Sequence, residues 1–531
     1  MSSDFVHLPA RTNQALGIAE YAIDFMKSGT PDESVLERTR MFHTDATLCG
    51  LSALAHGPNA PTVLRDEALG YPVGDATQQV GSAEQKGATV FGSSTPVSPE
   101  KAILANSNAV REWDSNGTNF GYDPERGNTA GEFGHNDFYP VAIAAAQMAG
   151  KDGAYALQGM VLSDEIRGRL AEVFSLKTYK VDHVVHGAIA SAATFGAMLG
   201  ATAEQIESAI GMVVAHAIPF RAIRAGKQLS DSKGASAAIS TEFAITAVKR
   251  SMKGFLGPRD IFRNPEAIFR IFEGPGQMFV ATGKNPQNSE NADASPFDLH
   301  LAKSGKDFTV MGMHFKLGLY EHQSAGAIQA MLDLLDKSPS LLDDESGANI
   351  EKIKIIAYEP AFGIIGDPAK RNPTTRQSAD HSMVYIISTL LRKALTSKTV
   401  GWKDLMLEPA DYGDAAIYDE RTRSLMDKIE FEHGGKEYDD RYPDGIPTSV
   451  VISDSSGTAH ESGLVMYPGG HARNTTADLK DILAHKFRLL GSLAFENPEP
   501  IIERYNNISN LNADELRSIN DYEIIVRGSF K

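Results

Sequence analysis

The run WDSNGTNFGYDPERGNTAGEFGHNDFYP, from Trp113 to Pro140, gathers an acid (Asp114), a hydroxyl (Thr118), an imidazole (His135) and a second acid (Asp137). Such a set can take up and pass on protons, because imidazole titrates near working pH. The stretch is too polar and too rich in glycine to pack as a core helix. A loop of this length inside a compact domain is usually functional or disordered. The helical segment FYPVAIAAAQMAG that follows anchors it, so the run is expected to form an active-site wall.

Four further stretches carry chemistry. FRAIRAGKQLSDSKGASAA (220–238) places Arg221, Arg224, Lys227 and Lys233 in a glycine- and serine-rich loop before a helix. In a chain of formal charge −17 this is either a solvated loop or a clamp for carboxylates. Arginine binds carboxylates bidentately and lysine acts as a point charge. VDHVVHGAIASAA sets His183 and His186 three apart at the start of an apolar helix, where each alone more often satisfies a helix end than performs catalysis. HFKLGLYEHQSAGA brings Lys316 and His322 ahead of a helix, and QSADHSMVYIIS spaces Asp380, His381 and Tyr385 as on one helix.

Other chemistries find no support. A single cysteine, Cys49, excludes an internal disulfide framework and cysteine-ligated clusters or structural zinc. His183 and His186 do not form HExxH, and no third ligand follows at metalloprotease spacing, so no catalytic metal is expected. Serine-hydrolase, Walker and Rossmann motifs are absent, and the glycines of GPGQMFVATG (274–283) lack the strand–turn–helix order such a loop needs. The acidic balance argues against a nucleic-acid partner. No apolar run approaches the roughly 20 residues of a membrane span, and no secretory core is visible at the start. The cytoplasm or a mitochondrial matrix is the expected location.

The elements that must position these residues follow from periodicity. At 531 residues the chain should form more than one lobe. Helical spacing recurs near 13–28, 33–56, 100–112, 139–149, 153–175, 183–200, 203–217 and 234–253. Thr202–Gln205 fits a capping box, Thr30-Pro31 is expected to place proline in a first helical turn, and Gly200 and Gly257 are expected helix stops. The alanines and glycines of GAIASAATFGAMLGA predict helices packed closely at their backbones. After about residue 305, DFTVMGMHF, IEKIKIIAYEP, KIEFEH and TSVVISDSSG read as strands among helices at 321–336 and 380–396, before helix returns in LKDILAHKFRLLGSLA. The expected fold is mainly α: a large helical domain (1–308 and 467–531) with a smaller α+β lid (309–466) inserted, and a ligand cleft between them.

In this order the elements resemble the MmgE/PrpD family, whose members include 2-methylcitrate dehydratase and cis-aconitate decarboxylase. DATLCGLSALA (45–55) is similar to the family's early LDTLGCGLAAL helix. WDSNGT resembles its acidic D-x-(D/N)-D-T segment, which carries over to Asp114 and Thr118, and GHNDFYPVAIAAA its histidine-loop-helix, which carries over to His135. VDHVVHGAIASA resembles LDHVVLVKVAST and selects His183 over His186, while FRAIR matches a paired-arginine segment. The ungapped distance to Gly254 and Gly257 selects Lys233 over Lys227. His322 matches the histidine opening the second lobe, and Tyr385 the tyrosine of the A-(D/R)-H-x-x-x-Y helix.

The chain departs from the family in the inserted NFGYDPERGNTAGEF, in Asn136 where a proline is usual, and in Leu317-Gly318-Leu319 before His322. The resemblance implies a homodimeric, cofactor-free lyase of a small polycarboxylate. Its catalytic residues would be Asp114, Thr118, His135, His183, Lys233, His322 and Tyr385, with Arg221, Arg224 and Lys316 binding substrate. Dehydration of 2-methylcitrate leads, with cis-aconitate-type decarboxylation or epimerisation of a related acid as alternatives, and a non-catalytic metabolite binder as the rival of another class.

Overall fold

A computed structural model describes residues 4–73, 87–224, 229–271 and 293–528. Lys227 and the 274–283 glycines lie outside the described residues. The protein is mainly helical, with small sheets only. The first part contains α1 (Gln14–Ser28), α2 (Glu33–His56), α3 (Asn59–Leu69), α4 (Pro99–Arg111), α5 (Tyr139–Ala149), α6 (Gly153–Val173), α7 (Val184–Met198), α8 (Ala203–His216) and α9 (Ser232–Met252). Their bounds follow the apolar periodicity closely, and only α3 was not marked by it.

Helix α7 lies at the centre, packed by α1, α5, α6, α8 and α9. Its small residues make this possible: a Cβ at Gly187 would sit 1.9 Å from the Phe138 ring, and one at Gly196 would sit 2.6 Å from Ile206. The capping box at Thr202 and Gln205 is formed, and Gly200 takes the left-handed conformation (φ 79°) just past the end of α7. Two start and stop signals act differently from expectation. Thr30–Pro31 is a short strand, and Asp32 is the N-cap residue of α2. Helix α9 already ends at Lys253–Gly254, while Gly257 instead packs against the Ser208 carbonyl of α8.

Beyond residue 320 the chain builds a four-stranded sheet in the order Ile429–His433, Ile350–Ala357, Thr448–Asp454, Ala459–Glu461. The first pair is parallel and the others antiparallel. Helix Ala325–Lys337 covers Thr448–Asp454 and also packs on Met383–Ser397. DFTVMGMHF is not a strand: Thr309–Gly312 forms a 3-10 turn packed on α2 and α6. The turn is fixed by the Thr309 amide and hydroxyl, which donate to the Glu165 carboxylate and the Asp164 carbonyl.

Helix Leu479–Ala494 returns to the first part and packs along α2. Its Lys486 is fully buried, 2.7 Å from Asp45 Oδ1. The Lys486 ammonium also donates to the carbonyls of Ser115 and Lys316, both at 2.8 Å. This one side chain ties the loop after α4 to the segment before His322. Among the described residues no helix is long and apolar enough to cross a membrane.

Candidate active site

Helix α4 ends at Arg111, and three residues later Asp114 adopts a left-handed backbone (φ 51°). Aspartate tolerates that region better than most residues, yet it still stores strain, which concentrates at functional sites. The turn aims the Asp114 carboxylate inward, where it is 1% exposed. Arg111 pairs with it directly, and Lys316 Nζ lies 2.5 Å, His381 Nε2 3.1 Å and Lys233 Nζ 3.5 Å away. Burial alone would push this carboxyl up, but Arg111, then Lys316 and Lys233, hold it well below the usual carboxylate range. Asp114 is therefore ionised at the centre of a cation cluster.

The long loop from Trp113 folds back as a two-residue ladder, Thr118–Asn119 against Gly134–His135, with Thr118 opposite His135. Thr118 Oγ donates to the Gly134 carbonyl at 2.8 Å. Asn136, the replacement for proline, accepts from Asn116 at 2.9 Å, and the insertion supplies Phe120 and Phe133 to the cavity wall.

His135 Nε2 lies 3.2 Å from an Arg111 guanidinium nitrogen. A guanidinium only donates, so Nε2 must accept and the ring proton sits on Nδ1. The His135 and His183 rings lie 5.4 Å apart. His183 caps the start of α7, with Nδ1 3.7 Å from Asp182 Oδ1, beyond hydrogen-bond reach. His186 instead turns into the core and bonds the Phe174 carbonyl at 2.9 Å. Burial first, then Arg111 and Lys316, lower the His135 pKa far below its ordinary value. Burial and Arg224 do the same for His183 against the opposing pull of Asp182. Both enter as neutral imidazoles.

Arg111, Asp114, Thr118, His135 and His183 line one cavity, together with Lys316, Glu321, His322, Gln323, Ile365, Lys370 and His381. The wall opposite α4, α7 and α9 thus comes from residues 316–381. His322 is 3% exposed with neither ring nitrogen bonded to protein, and its ring stacks on His314 at 5.2 Å. Lys233, 3% exposed, lies 3.1 Å from both Asp380 Oδ1 and His381 Nδ1.

Asp114, Asp380 and His381 bring three ligand atoms within 4.8 Å of one another, a grouping that HExxH logic did not reveal. The Lys233 ammonium stands among them, so their charge is met by a cation of the chain itself.

Arg221 and Arg224 form a short 3-10 turn at the rim and both line the cavity. Arg224 is already engaged, with Nε 2.5 Å from Asp182 Oδ2. Tyr385 is not brought to the cavity. It lies on helix Met383–Ser397, whose register turns it toward the 409–412 turn, where its hydroxyl donates to the Asp411 carbonyl at 2.5 Å. His381, four residues earlier, reaches the cavity instead. Arg111 was missed because nothing distinguishes it from an ordinary last-turn cation of an alanine-rich helix. Glu321 had one available signal, its place directly before His322, whereas Lys370 had none.

The MmgE/PrpD N-terminal domain matches residues 17–279 and the MmgE/PrpD C-terminal domain matches residues 320–505. The chain belongs to the MmgE/PrpD family. The break between the two MmgE/PrpD matches falls before Glu321 and His322, so the cavity is lined from both domains. Among curated relatives, a 2-methylcitrate dehydratase of Escherichia coli O157:H7 is 26% identical over 63% of this chain and 62% of its own length. The chain thus spans less than two thirds of that relative. The 2-methylcitrate dehydratase of Salmonella typhimurium is 24% identical over 81% of the chain and 82% of the relative. A mitochondrial 2-methylcitrate dehydratase of Yarrowia lipolytica is 25% identical over 68% and 64%.

Proposed function

We propose that this chain is a cofactor-free hydro-lyase that dehydrates a 2-methylcitrate-like tricarboxylate in the cavity between its helical part and the 309–466 region, which acts as its lid. The observation that carries this reading is the cavity itself: two adjoining neutral histidines, His135 and His183, surrounded by buried cations. The relatives named as 2-methylcitrate dehydratases support the substrate class. Dehydration removes a weakly acidic proton α to a carboxylate, and the charge that builds there needs preorganised cations. Lys233 supplies such a charge with its ammonium already oriented. His135 Nε2 is tied to Arg111, so His183 is the better placed base, and His135 presents Nδ1–H as a hydrogen-bond donor.

Protonation of the leaving hydroxyl falls to the opposite wall, where Glu321 and Lys316 both hold a proton at neutral pH. Burial pushes the Glu321 carboxyl up to about 8, with Lys370 opposing and Asp114 adding to the rise. Burial pulls Lys316 down to about 8, against the opposing effect of Asp114. Because kcat/KM reports the free enzyme, it should fall as pH rises through about 8, where Glu321 gains and Lys316 loses charge. Glu321→Gln should leave that limb in place if Lys316 sets it and abolish it if Glu321 does. A profile flat to pH 9.5, roughly 1.5 units above both groups, would reject both as the acid.

The reaction itself is tested by incubating the full chain with 2-methylcitrate, citrate and cis-aconitate and following ultraviolet absorbance. A conjugated product should appear from 2-methylcitrate, at a rate unchanged by EDTA or by added Zn²⁺ or Fe²⁺. Loss of absorbance with cis-aconitate accompanied by release of CO2, and none gained from 2-methylcitrate, would assign decarboxylation. Activity that EDTA abolishes and a metal restores would make Asp114, Asp380 and His381 a metal site.

A further inference from the structure

Six cations face the cavity, and carboxylates of the chain engage four of them. Arg111 pairs with Asp114 and Asp137, Lys316 with Asp114, Lys233 with Asp380 and Asp114, and Arg224 with Asp182. Arg221 and Lys370 are different. Among the described residues, neither side chain has a carboxylate at ion-pair distance or a hydrogen-bond acceptor. They also reach the cavity from different parts of the chain. Arg221 opens the turn Arg221–Arg224 ahead of α9, and Lys370 ends the turn Pro368–Lys370 beyond the sheet strand Ile350–Ala357.

Neither is a freely solvated surface charge. Burial lowers the pKa of both; at Arg221 it is opposed through space by Asp182, itself paired with Arg224, and reinforced by Arg224, and at Lys370 Lys233 and Arg221 add to it. Glu321 and Asp367 oppose this at Lys370 only through space, and Glu321, pushed up to about 8, carries little charge at neutral pH. Partly buried cations without a carboxylate at ion-pair distance are well placed to take up an entering anion. The four engaged cations provide a field around the reacting carbons. They leave no unshared charge to hold an additional carboxylate.

We propose that Lys370 and Arg221 form a carboxylate subsite in which the substrate carboxylate farthest from the reacting carbons bridges the two parts of the chain, so that this pair selects tricarboxylates over dicarboxylates. Arginine offers the two-pronged donor and lysine the point charge. Lys370 is then a specificity-determining residue, outside the proton-transfer chemistry. The proposal rests on the polycarboxylate reading above.

Binding of two unreactive probes to the full chain tests it by calorimetry. Propane-1,2,3-tricarboxylate carries all three carboxylates, whereas 2-methylsuccinate has a methyl in place of one carboxymethyl group and so carries only two. The wild type should bind the tricarboxylate at least about tenfold more tightly, as one charge-assisted contact allows. Lys370→Gln should erase that preference by weakening the tricarboxylate alone, and Lys370→Arg should restore most of it. Arg221→Gln should act in the same direction, with the double variant losing less than the two single losses combined. Melting curves close to wild type confirm folding of the Lys370 variants. Equal weakening of both probes, or no preference in the wild type, overturns the subsite. If 2-methylcitrate is not dehydrated but the Lys370-dependent preference holds, the proposed reaction fails and the subsite stands.

Discussion

Replacing Lys233 with alanine should lower turnover by about 10²–10³, the usual loss when one preorganised electrostatic group is removed. Its ammonium is 3.1 Å from Asp380 Oδ1, 3.1 Å from His381 Nδ1 and 3.5 Å from Asp114 Oδ2. Without it, two buried carboxylates face each other across an imidazole that burial and Lys233 otherwise hold down to about 4. His381 should then bind a proton far more readily, because the neighbouring positive charge is gone and Asp114 and Asp380 remain. The loss of turnover should therefore come with a histidine that titrates in a higher pH range, visible by NMR of the imidazole protons. Lys227→Ala, chosen from sequence spacing alone, should leave turnover near wild type. Equal losses at both positions would show that the active lysine has been misassigned.

Asp114→Asn is expected to damage both stability and activity. Asparagine tolerates the left-handed backbone at this position, so the substitution isolates charge from conformation. It leaves Arg111, Lys316 and Lys233 in a buried cluster that has lost its central counter-charge, and breaking a buried pair in this way costs about 3–5 kcal/mol. Denaturant unfolding should show a midpoint shift with little change in slope. Turnover should fall by at least about 10², as for loss of any group that fixes preorganised donors. An unfolding midpoint equal to wild type would mean that Asp114 is not the counter-charge that holds the cluster together. Asp114→Ala should be worse still, since alanine adds left-handed backbone strain of about 1 kcal/mol or more.

The helices were legible because apolar residues recur along them at helical spacing, and α2 and α5 span the residues that periodicity marks. α3 escaped because Asn59–Leu69 buries only Ala60, Pro61 and Ala68, too few for a stripe. DFTVMGMHF looked like a strand because β-rich composition says nothing about Glu165, whose buried carboxylate bends the segment into a turn. In the site, residues next to a motif were visible, and residues that converge from elsewhere were not. His135, His183, Lys233 and His322 could be named from their neighbours in sequence. Arg111 acquires meaning only when the loop after α4 folds back on it, and Lys370 only when its turn reaches the cavity that Arg221 also lines. Tyr385 shows the converse. Its place in a motif suggested chemistry, and helix register placed it in the core.

Lys486 has a consequence for how the protein comes into being. Its ammonium fastens the Ser115 and Lys316 carbonyls and the Asp45 carboxylate at once. The loop bearing Asp114 and the segment bearing Lys316 thus wait on a residue made some 370 positions after the first of them. During synthesis α1–α9 can collapse early around α7, but the cavity cannot take its final geometry until helix Leu479–Ala494 has emerged from the ribosome and docked on α2. A nascent chain therefore carries most of its proton-transfer groups before it can use them, because the geometry that joins them waits on the helix bearing Lys486.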